Sequence, residues 1–265
     1  MKEELIKLIN VSYSLDDEKL SLSKGKTAEI LFNIDLTLYK DEVLGICGES
    51  GGGKSTLAKV ISGIIKPAAG ELKLNSRLTV KGNKPKKIQI LFQNNSNLLN
   101  PYRKVDSPID EAIKLSGIKI GNIVERKEKL FSILGIDSNL ASRRGYELSG
   151  GERQRVALAR LIAVNPEVLI LDEPFSAQDI TSQINLVKVL KRINEEFKVT
   201  MICISHDLKI LRKFAHRIIV LQNGRIVEAG DTSQIFSSPT HSYTKFLLSA
   251  EEFSLTEEAI HNFNS

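Results

Sequence analysis

The stretch Gly48-Glu49-Ser50-Gly51-Gly52-Gly53-Lys54-Ser55-Thr56 satisfies the pattern G-x-x-x-x-G-K-[S/T], and no other feature narrows the possible folds so far. A phosphate-binding loop of this kind works when it follows a buried strand and opens a helix. Both flanks read that way. Val43-Leu44-Gly45-Ile46-Cys47 is an apolar run of strand length, and Thr56-Leu57-Ala58-Lys59-Val60-Ile61 reads as a helix. Glycines let successive backbone N–H groups curl around phosphate oxygens, at a helix N-terminus whose dipole favours anions. Lys54 adds a point charge at the β- and γ-phosphates, and Ser55 offers a hydroxyl to a Mg²⁺ ion that keeps several waters. The alternative, a glycine-rich turn with a chance lysine, is disfavoured by the flanking pattern.

The chain has 265 residues, enough for one large domain or two modest ones with a sizeable core. No apolar run approaches the ~20 residues of a membrane helix, and the polar start Met1-Lys2-Glu3-Glu4 does not resemble a signal peptide, so a cytoplasmic place is expected. The net charge of +5 comes from lysines and arginines scattered among acidic neighbours, which reads as a solvated surface. Cys47 and Cys203 each lie inside an apolar run, so neither a disulfide framework nor a metal cluster is expected.

Along the chain, residues 5–13 alternate as a strand, a polar loop spans 14–26, and a second strand covers 30–38 before a turn at Lys40-Asp41. This predicts an antiparallel start. Gly63 and Pro67 end the helix after the phosphate loop, and residues 71–74 and 88–92 read as strands. Helical patterns over 109–115 and 123–134 then suggest an insert. Strand–helix alternation resumes with strands at 168–171, 200–204 and 217–221 and helices over 182–197 and from Leu208. That alternation predicts a parallel sheet with helices on both faces. The tail from Glu251 is polar and is expected to be loosely held.

Two further constellations carry chemistry. Val168-Leu169-Ile170-Leu171-Asp172-Glu173-Pro174 delivers two carboxylates at a strand's C-terminal edge, where ligands of parallel sheets sit. Asp172 is placed to hold Mg²⁺ through water, and Glu173 to orient or deprotonate an attacking water. In Leu148-Ser149-Gly150-Gly151-Glu152-Arg153-Gln154-Arg155, Ser149 and Glu152 fit a capping box before an apolar helix that Asn165-Pro166 stops. A plain capped helix explains this; so does a second anion site at a glycine-rich helix N-terminus.

The phosphate loop, Leu148-Ser149-Gly150-Gly151 and the Asp172-Glu173 strand, in that order, resemble the ATP-binding cassette (ABC) ATPases over nearly the whole chain. The resemblance implies an α/β fold: a P-loop NTPase (RecA-like) core with a parallel sheet, an antiparallel β subdomain and an α-helical insert. Residues 1–250 would form one such domain, with 1–93 as β subdomain and loop-bearing core, 94–147 as helical insert and 148–235 as the rest of the core; 236–265 would be a C-terminal segment. It also implies that two cassettes pair head to tail, each phosphate loop facing the partner's Ser149-Gly150-Gly151 across a shared ATP. Tyr13 resembles the aromatic that stacks on adenine, and Gln93 the glutamine at the edge of the insert, a catalytic and Mg²⁺ contact. Ser176-Ala177-Gln178-Asp179 resembles the D-loop, and His206 in Ile204-Ser205-His206-Asp207 the switch histidine at the γ-phosphate. Lys54, Gln93, Glu173 and His206 are thus the implied catalytic set, and Ser55, Gln93 and Asp172 the Mg²⁺ set. Each of Tyr13, Gln93 and His206 alone would be ordinary.

Two segments narrow the resemblance. Phe92-Gln93-Asn94-Asn95-Ser96-Asn97-Leu98-Leu99-Asn100-Pro101-Tyr102-Arg103 is similar to F-Q-D-P…S-L-N-P-R of oligopeptide, dipeptide and nickel importers. Pro239-Thr240-His241-Ser242-Tyr243-Thr244-Lys245-Phe246-Leu247-Leu248-Ser249-Ala250 is similar to their P-x-H-P-Y-T-x-x-L-L-x-A. For His241 and Tyr243 a surface turn leading into an amphipathic helix is an equal explanation. Departures are Asn94 for Asp, Ser142-Arg143-Arg144-Gly145-Tyr146 for Arg-Tyr-Pro-His, and Glu152 for Gln. Longer members carry a cysteine-bearing C-terminal extension; with Cys47 and Cys203 as its two cysteines, this chain is expected to be of the shorter form, which tilts the resemblance slightly toward the nickel or metal-chelate branch over peptides. The implied partners are two membrane-spanning permease subunits, a second ABC ATPase that is a paralogue or a second copy, and an extracellular substrate-binding protein, at the cytoplasmic membrane face. A soluble cassette acting on DNA or ribosomes and a non-hydrolysing clamp are the rivals; no basic stripe with interleaved aromatics supports nucleic acid.

Overall fold

The computed structural model describes residues 2–15, 28–79, 87–93, 99–117, 122–176 and 178–250. Most of the expected polar loop 14–26, residues 94–98, Ala177 and the tail from Glu251 lie outside the described residues. The chain divides into two compact units. One, the loop unit, takes residues 6–38, 42–73 and 203–265; the other, the helical unit, takes 1–5, 39–41 and 74–202.

In the loop unit, β3 (Val43–Gly48), β8 (Arg217–Gln222) and β9 (Arg225–Asp231) are consecutive neighbours in one sheet. β3 and β8 are parallel, with Ile46 opposite Ile219 and Gly48 opposite Leu221. β8 and β9 are antiparallel, with an irregularity after Val220. Every residue of β3 is buried, as a parallel strand covered on both faces requires. Helices α1 (Lys54–Ile61), α7 (Leu208–Phe214) and α8 (Thr232–Ser237) belong to this unit, and residues 242–250 are helical. Most of β1 (Glu4–Leu15), β2 (Ala28–Tyr39) and β4 (Ala69–Leu74) also fall here, in a three-stranded antiparallel sheet of order β2-β1-β4.

In the helical unit, β5 (Ile88–Leu91), β6 (Val168–Asp172) and β7 (Thr200–Ile204) are consecutive. β5 and β6 run parallel, Ile88 opposite Val168 and Leu91 opposite Leu171. Between them the chain forms α2 (Asp106–Leu115), α3 (Ile123–Leu134), α4 (Ser138–Ser142) and α5 (Gly150–Ala163). α2 and α3 pack on α5 and on each other. They do so through Ile109, Ala112 and Ile113 of α2 and Leu130, Ile133 and Leu134 of α3, apolar stripes at helical spacing. α6 (Ile180–Phe197) precedes β7.

The α/β class, the antiparallel start, the parallel pairing and the helical insert match the expectations. α4, β9 and α8 were not anticipated. α4 and α8 are too short to show a 3.6-residue period, and β9 is a half-exposed strand without clean alternation. Both cysteines are buried thiols. No helix among the described residues is long and apolar enough to cross a membrane.

Candidate functional site

In the loop unit the phosphate loop is formed by backbone conformation. Gly48 has φ +143, and a Cβ there would stand 2.0 Å from the Leu221 carbonyl oxygen. Gly53, the N-cap of α1, has φ +96 and would clash with Leu31. Only glycine fits both places, so the strand can end and the helix begin within a few residues. No side chain caps α1, which leaves its first amides pointing at the loop's interior. Glu49, Ser50 and Gly51 are exposed, Gly52 is buried, Ser55 is exposed and Thr56 half-buried. Lys54 is buried, and its Nζ donates to the carbonyls of Gly48 at 2.8 Å and Glu49 at 2.7 Å. An ammonium has three N–H donors. Two hold the loop, and the third is the one a phosphate oxygen can take.

His206 comes to the same strand edge. The Ser205 N–H donates to the Ile46 carbonyl at 3.1 Å, tying the β7–α7 connection to β3 two residues before Gly48. Asp207 caps α7 by accepting from the Ile210 N–H at 3.1 Å. His206 between them is exposed. Tyr13 is half-buried on β1.

In the helical unit Asp172 ends β6 and is buried. Glu173 follows with φ +51, a left-handed backbone that a glutamate before proline rarely adopts. The Ser176 hydroxyl and N–H both donate to its carbonyl, at 2.9 and 3.3 Å. Gln93, exposed, lies two residues beyond Leu91, and Glu173, half-buried, lies two beyond Leu171; those two leucines are register partners. The parallel pairing thus brings Gln93, Asp172 and Glu173 to one pair of strand ends.

The capping box of α5 forms as expected. The Glu152 N–H donates to Ser149 Oγ at 3.3 Å, and the Ser149 N–H donates to Glu152 Oε2 at 2.8 Å. Those bonds, backbone first, lower the Glu152 carboxyl below its usual range, helped by Arg143 at 3.2 Å. A Cβ at Gly150 or Gly151 would meet nothing within 4 Å, so both glycines leave open space. Asp179 is exposed and caps α6 through Ser182, whose hydroxyl and N–H bonds lower its pKa.

Two contacts escaped sequence reasoning. Gln154 and Gln178 hydrogen-bond each other, and both donate to the Pro174 carbonyl, tying α5 to the turn beside Glu173. Gln154 lies on the face of α5 turned to that turn, a signal that only the position of β6 reveals. These residues line a cavity of about 260 Å³ with Gly151, Arg155, Asp179 and Ser182. Arg155 Nε is buried there without a hydrogen-bond partner.

Residues 31–176 match the model of the family described as ABC transporter. The chain belongs to the ABC transporter family. It is 36% identical over 237 residues to the dipeptide transport ATP-binding protein DppF of Haemophilus influenzae, covering 86% of this chain and 72% of that protein. Identity is 33% to the oligopeptide transport ATP-binding protein OppF of the same organism, over 94% of this chain and 78% of that one. Among solved structures, cbiO1 of Clostridium perfringens, part of the ABC transporter complex cbiONQ, superposes with TM-score 0.74 at 25% identity, over 89% of this chain and 92% of that one. The ATP-binding cassette MJ0796, in a dimeric post-hydrolysis state bound to ADP and Pi, gives TM-score 0.69 at 26% identity, over 86% and 99%. The ABC cassette fold and the ATPase class inferred from the motifs stand with this membership.

Proposed function

We propose that this chain binds ATP with Mg²⁺, hydrolyses it, and so energises a membrane importer of short peptides. The observation that carries the reading is the phosphate loop, with glycine-only conformations at Gly48 and Gly53 and a buried Lys54 anchored by two carbonyls. Such a cradle fits phosphate oxygens and little else. The Ser55 hydroxyl, the buried Asp172 carboxylate and the Gln93 amide are oxygen donors of the kind Mg²⁺ takes. Mg²⁺ keeps several waters and is held through a few protein oxygens together with substrate phosphates. Mg²⁺, when bound, would neutralise charge on the β- and γ-phosphate oxygens.

Each residue then has a task. Lys54 holds the γ-phosphate with its third N–H. Glu173 accepts a proton from, or orients, the attacking water. His206 donates toward the γ-phosphate, Gln93 senses it from the edge of the helical insert, and Tyr13 stacks on adenine. Because hydrolysis has little covalent chemistry for the protein to perform, positioning and charge stabilisation carry the rate.

Ser149, Gly150, Gly151 and Asp179 serve a second cassette. The open space at Gly150 and Gly151, the α5 N-terminus and Arg155 suit phosphates brought by a partner chain. The dimeric state of MJ0796 supports that arrangement. Permease subunits would dock on the helical unit, where Tyr102 and Tyr146 are 75% and 57% exposed beside a cavity of about 120 Å³ lined by Leu99, Arg103, Val105 and Pro108. Peptides are favoured over nickel chelates because the relatives above are named for dipeptide and oligopeptide transport. Co-purification from the native membrane, with mass spectrometry and ATPase assay on one sample, is expected to yield two membrane subunits, a second cassette and peptide-stimulated hydrolysis. Recovery on ribosomes or nucleic acid would overturn the transport role and leave the ATPase chemistry standing.

A further inference from the structure

Past Asp172 the chain leaves the sheet, and the carbonyls that follow need donors other than the strand ladder. Side chains supply them. The Ser176 hydroxyl donates to the Glu173 carbonyl at 2.9 Å, and Gln183 Nε2 on α6 donates to the Phe175 carbonyl at 3.3 Å. The Pro174 carbonyl between them receives two donors, Gln154 Nε2 from α5 at 2.6 Å and Gln178 Nε2 at 3.2 Å. Gln154 Oε1 in turn accepts from Gln178 Nε2, so two amides and one carbonyl close a ring. Gln154 is the hub of that ring, because it uses both the donor and the acceptor of its amide.

The ring sets backbone torsions beside Glu173. The direction of a carbonyl is governed by ψ of its own residue, so the Ser176 bonds fix ψ of Glu173, and Gln154 with Gln178 fixes ψ of Pro174. The pyrrolidine ring fixes φ of Pro174 between them. The left-handed Glu173, with φ +51, is thus followed by three constrained torsions in succession. Strained residues persist where their surroundings over-determine them in this way. Pro174 is buried, which makes a donor lost from its carbonyl costly. Stapling α5 to the turn needs no amide, since leucines at the half-buried positions 154 and 178 would pack without desolvating polar groups. What the glutamines add is direction, which a hydrogen bond prescribes and apolar packing does not.

We propose that Gln154 is a positioning residue for hydrolysis, holding Glu173 in its productive place through the Pro174 carbonyl, with Gln178 as its support. This rests on the ATP-hydrolysis reading above and deepens it by adding a residue of α5 to the machinery of Glu173. Gln154 lies three residues beyond Gly151, and both line the cavity of about 260 Å³. The helix proposed to meet a partner's phosphates is then also the one that steadies this chain's own Glu173.

The test compares Gln154→Leu, Gln154→Glu, Glu173→Gln and the double variant carrying Gln154→Leu and Glu173→Gln with the parent chain in its purified membrane assembly. It measures the ATP dissociation constant, KM, kcat, single-turnover hydrolysis and thermal midpoint. Gln154→Leu removes the hub, whereas Gln154→Glu keeps its size and its acceptor and removes the donor to Pro174. Leucine and glutamate are both good helix formers, so α5 is kept. Each Gln154 variant is expected to lower kcat about tenfold with KM and the ATP dissociation constant within about twofold, a loss that a shift of a fraction of an ångström produces. In the Glu173→Gln background, Gln154→Leu is expected to change single-turnover hydrolysis by less than about twofold, because the group it positions is gone. Parental kcat in both Gln154 variants would overturn the proposal. So would a further tenfold loss in the double variant, or a lowered midpoint with kcat per folded molecule unchanged, which would leave the glutamines a structural staple of α5. If the parent itself hydrolyses no ATP, the underlying reading falls and this proposal with it.

Discussion

Glu173 shows how a single residue reveals its task through its backbone. Its left-handed φ of +51, before a proline, is a conformation that costs on the order of 1–3 kcal/mol and persists only where surrounding bonds impose it. Two donors from Ser176 supply that imposition. A strand continuing normally would alternate Asp172 and Glu173 to opposite faces; the break re-aims the second carboxylate. Glu173→Gln preserves shape and removes the basic oxygen. We expect ATP affinity within about twofold of the parent and steady-state phosphate release lower by about 10²–10⁴-fold, the usual worth of a positioned general base. Release at the parental rate would remove Glu173 from that role.

At the scale of elements, two caps can be probed separately. Ser149→Ala deletes one half of the α5 capping box and should destabilise the chain by about 0.5–2 kcal/mol in urea titrations. Glu228 on β9 accepts from the Thr240 N–H at 2.7 Å, the Thr240 hydroxyl at 2.9 Å and the His241 N–H at 3.0 Å, and this clamp on the C-terminal segment has a pH signature. Glu228 has a folded pKa depressed from 4.5 to about 2, so its stabilisation is fully present above pH ~4.5 and is lost as pH falls toward 2. The difference in thermal midpoint between the parent and Glu228→Gln should be constant above pH ~5 and shrink steadily between 4.5 and 2.5. A difference independent of pH would mean that the carboxylate charge is not what holds the segment. Such elements were unevenly legible in the sequence. Buried parallel strands announce themselves as unbroken apolar runs, and the expected 200–204 and 168–171 agree with β7 and with all but the last residue of β6. The half-exposed β9 carries Glu228 yet has no such signature, because exposed and half-buried positions mix along it with no buried run. The departures at Arg143 and Glu152 looked unrelated along the chain; in space they form an ion pair at 3.2 Å across the start of α5. Glycines of the phosphate loop and the α5 start were legible as motifs, whereas the Glu173 strain and the Gln154–Gln178–Pro174 tie depend on tertiary placement.

For the whole molecule the decisive question is whether a second cassette completes the site. Gly151 offers a clean probe because the folded chain does not itself need glycine there. Its φ is not among the positive ones, and a Cβ would meet nothing within 4 Å. An acidic residue in the first turn of α5 even complements the helix dipole, by about 0.3–1 kcal/mol. Gly151→Glu should therefore leave the thermal midpoint unchanged or slightly higher, and leave ATP binding to the chain's own phosphate loop within twofold. If the α5 N-terminus receives the phosphates of a partner's ATP, the new carboxylate meets them in a site where like charges repel strongly and water cannot screen them. Hydrolysis measured on the chain assembled with its partner cassette and membrane subunits is then expected to fall by about 10²-fold, the scale of losing one preorganised anion donor. ATP-dependent pairing of the two cassettes, followed by sedimentation in the Glu173→Gln background, should be lost with it. Parental turnover with stable pairing would mean that the open glycines serve packing alone and that each cassette completes its chemistry without the other's α5.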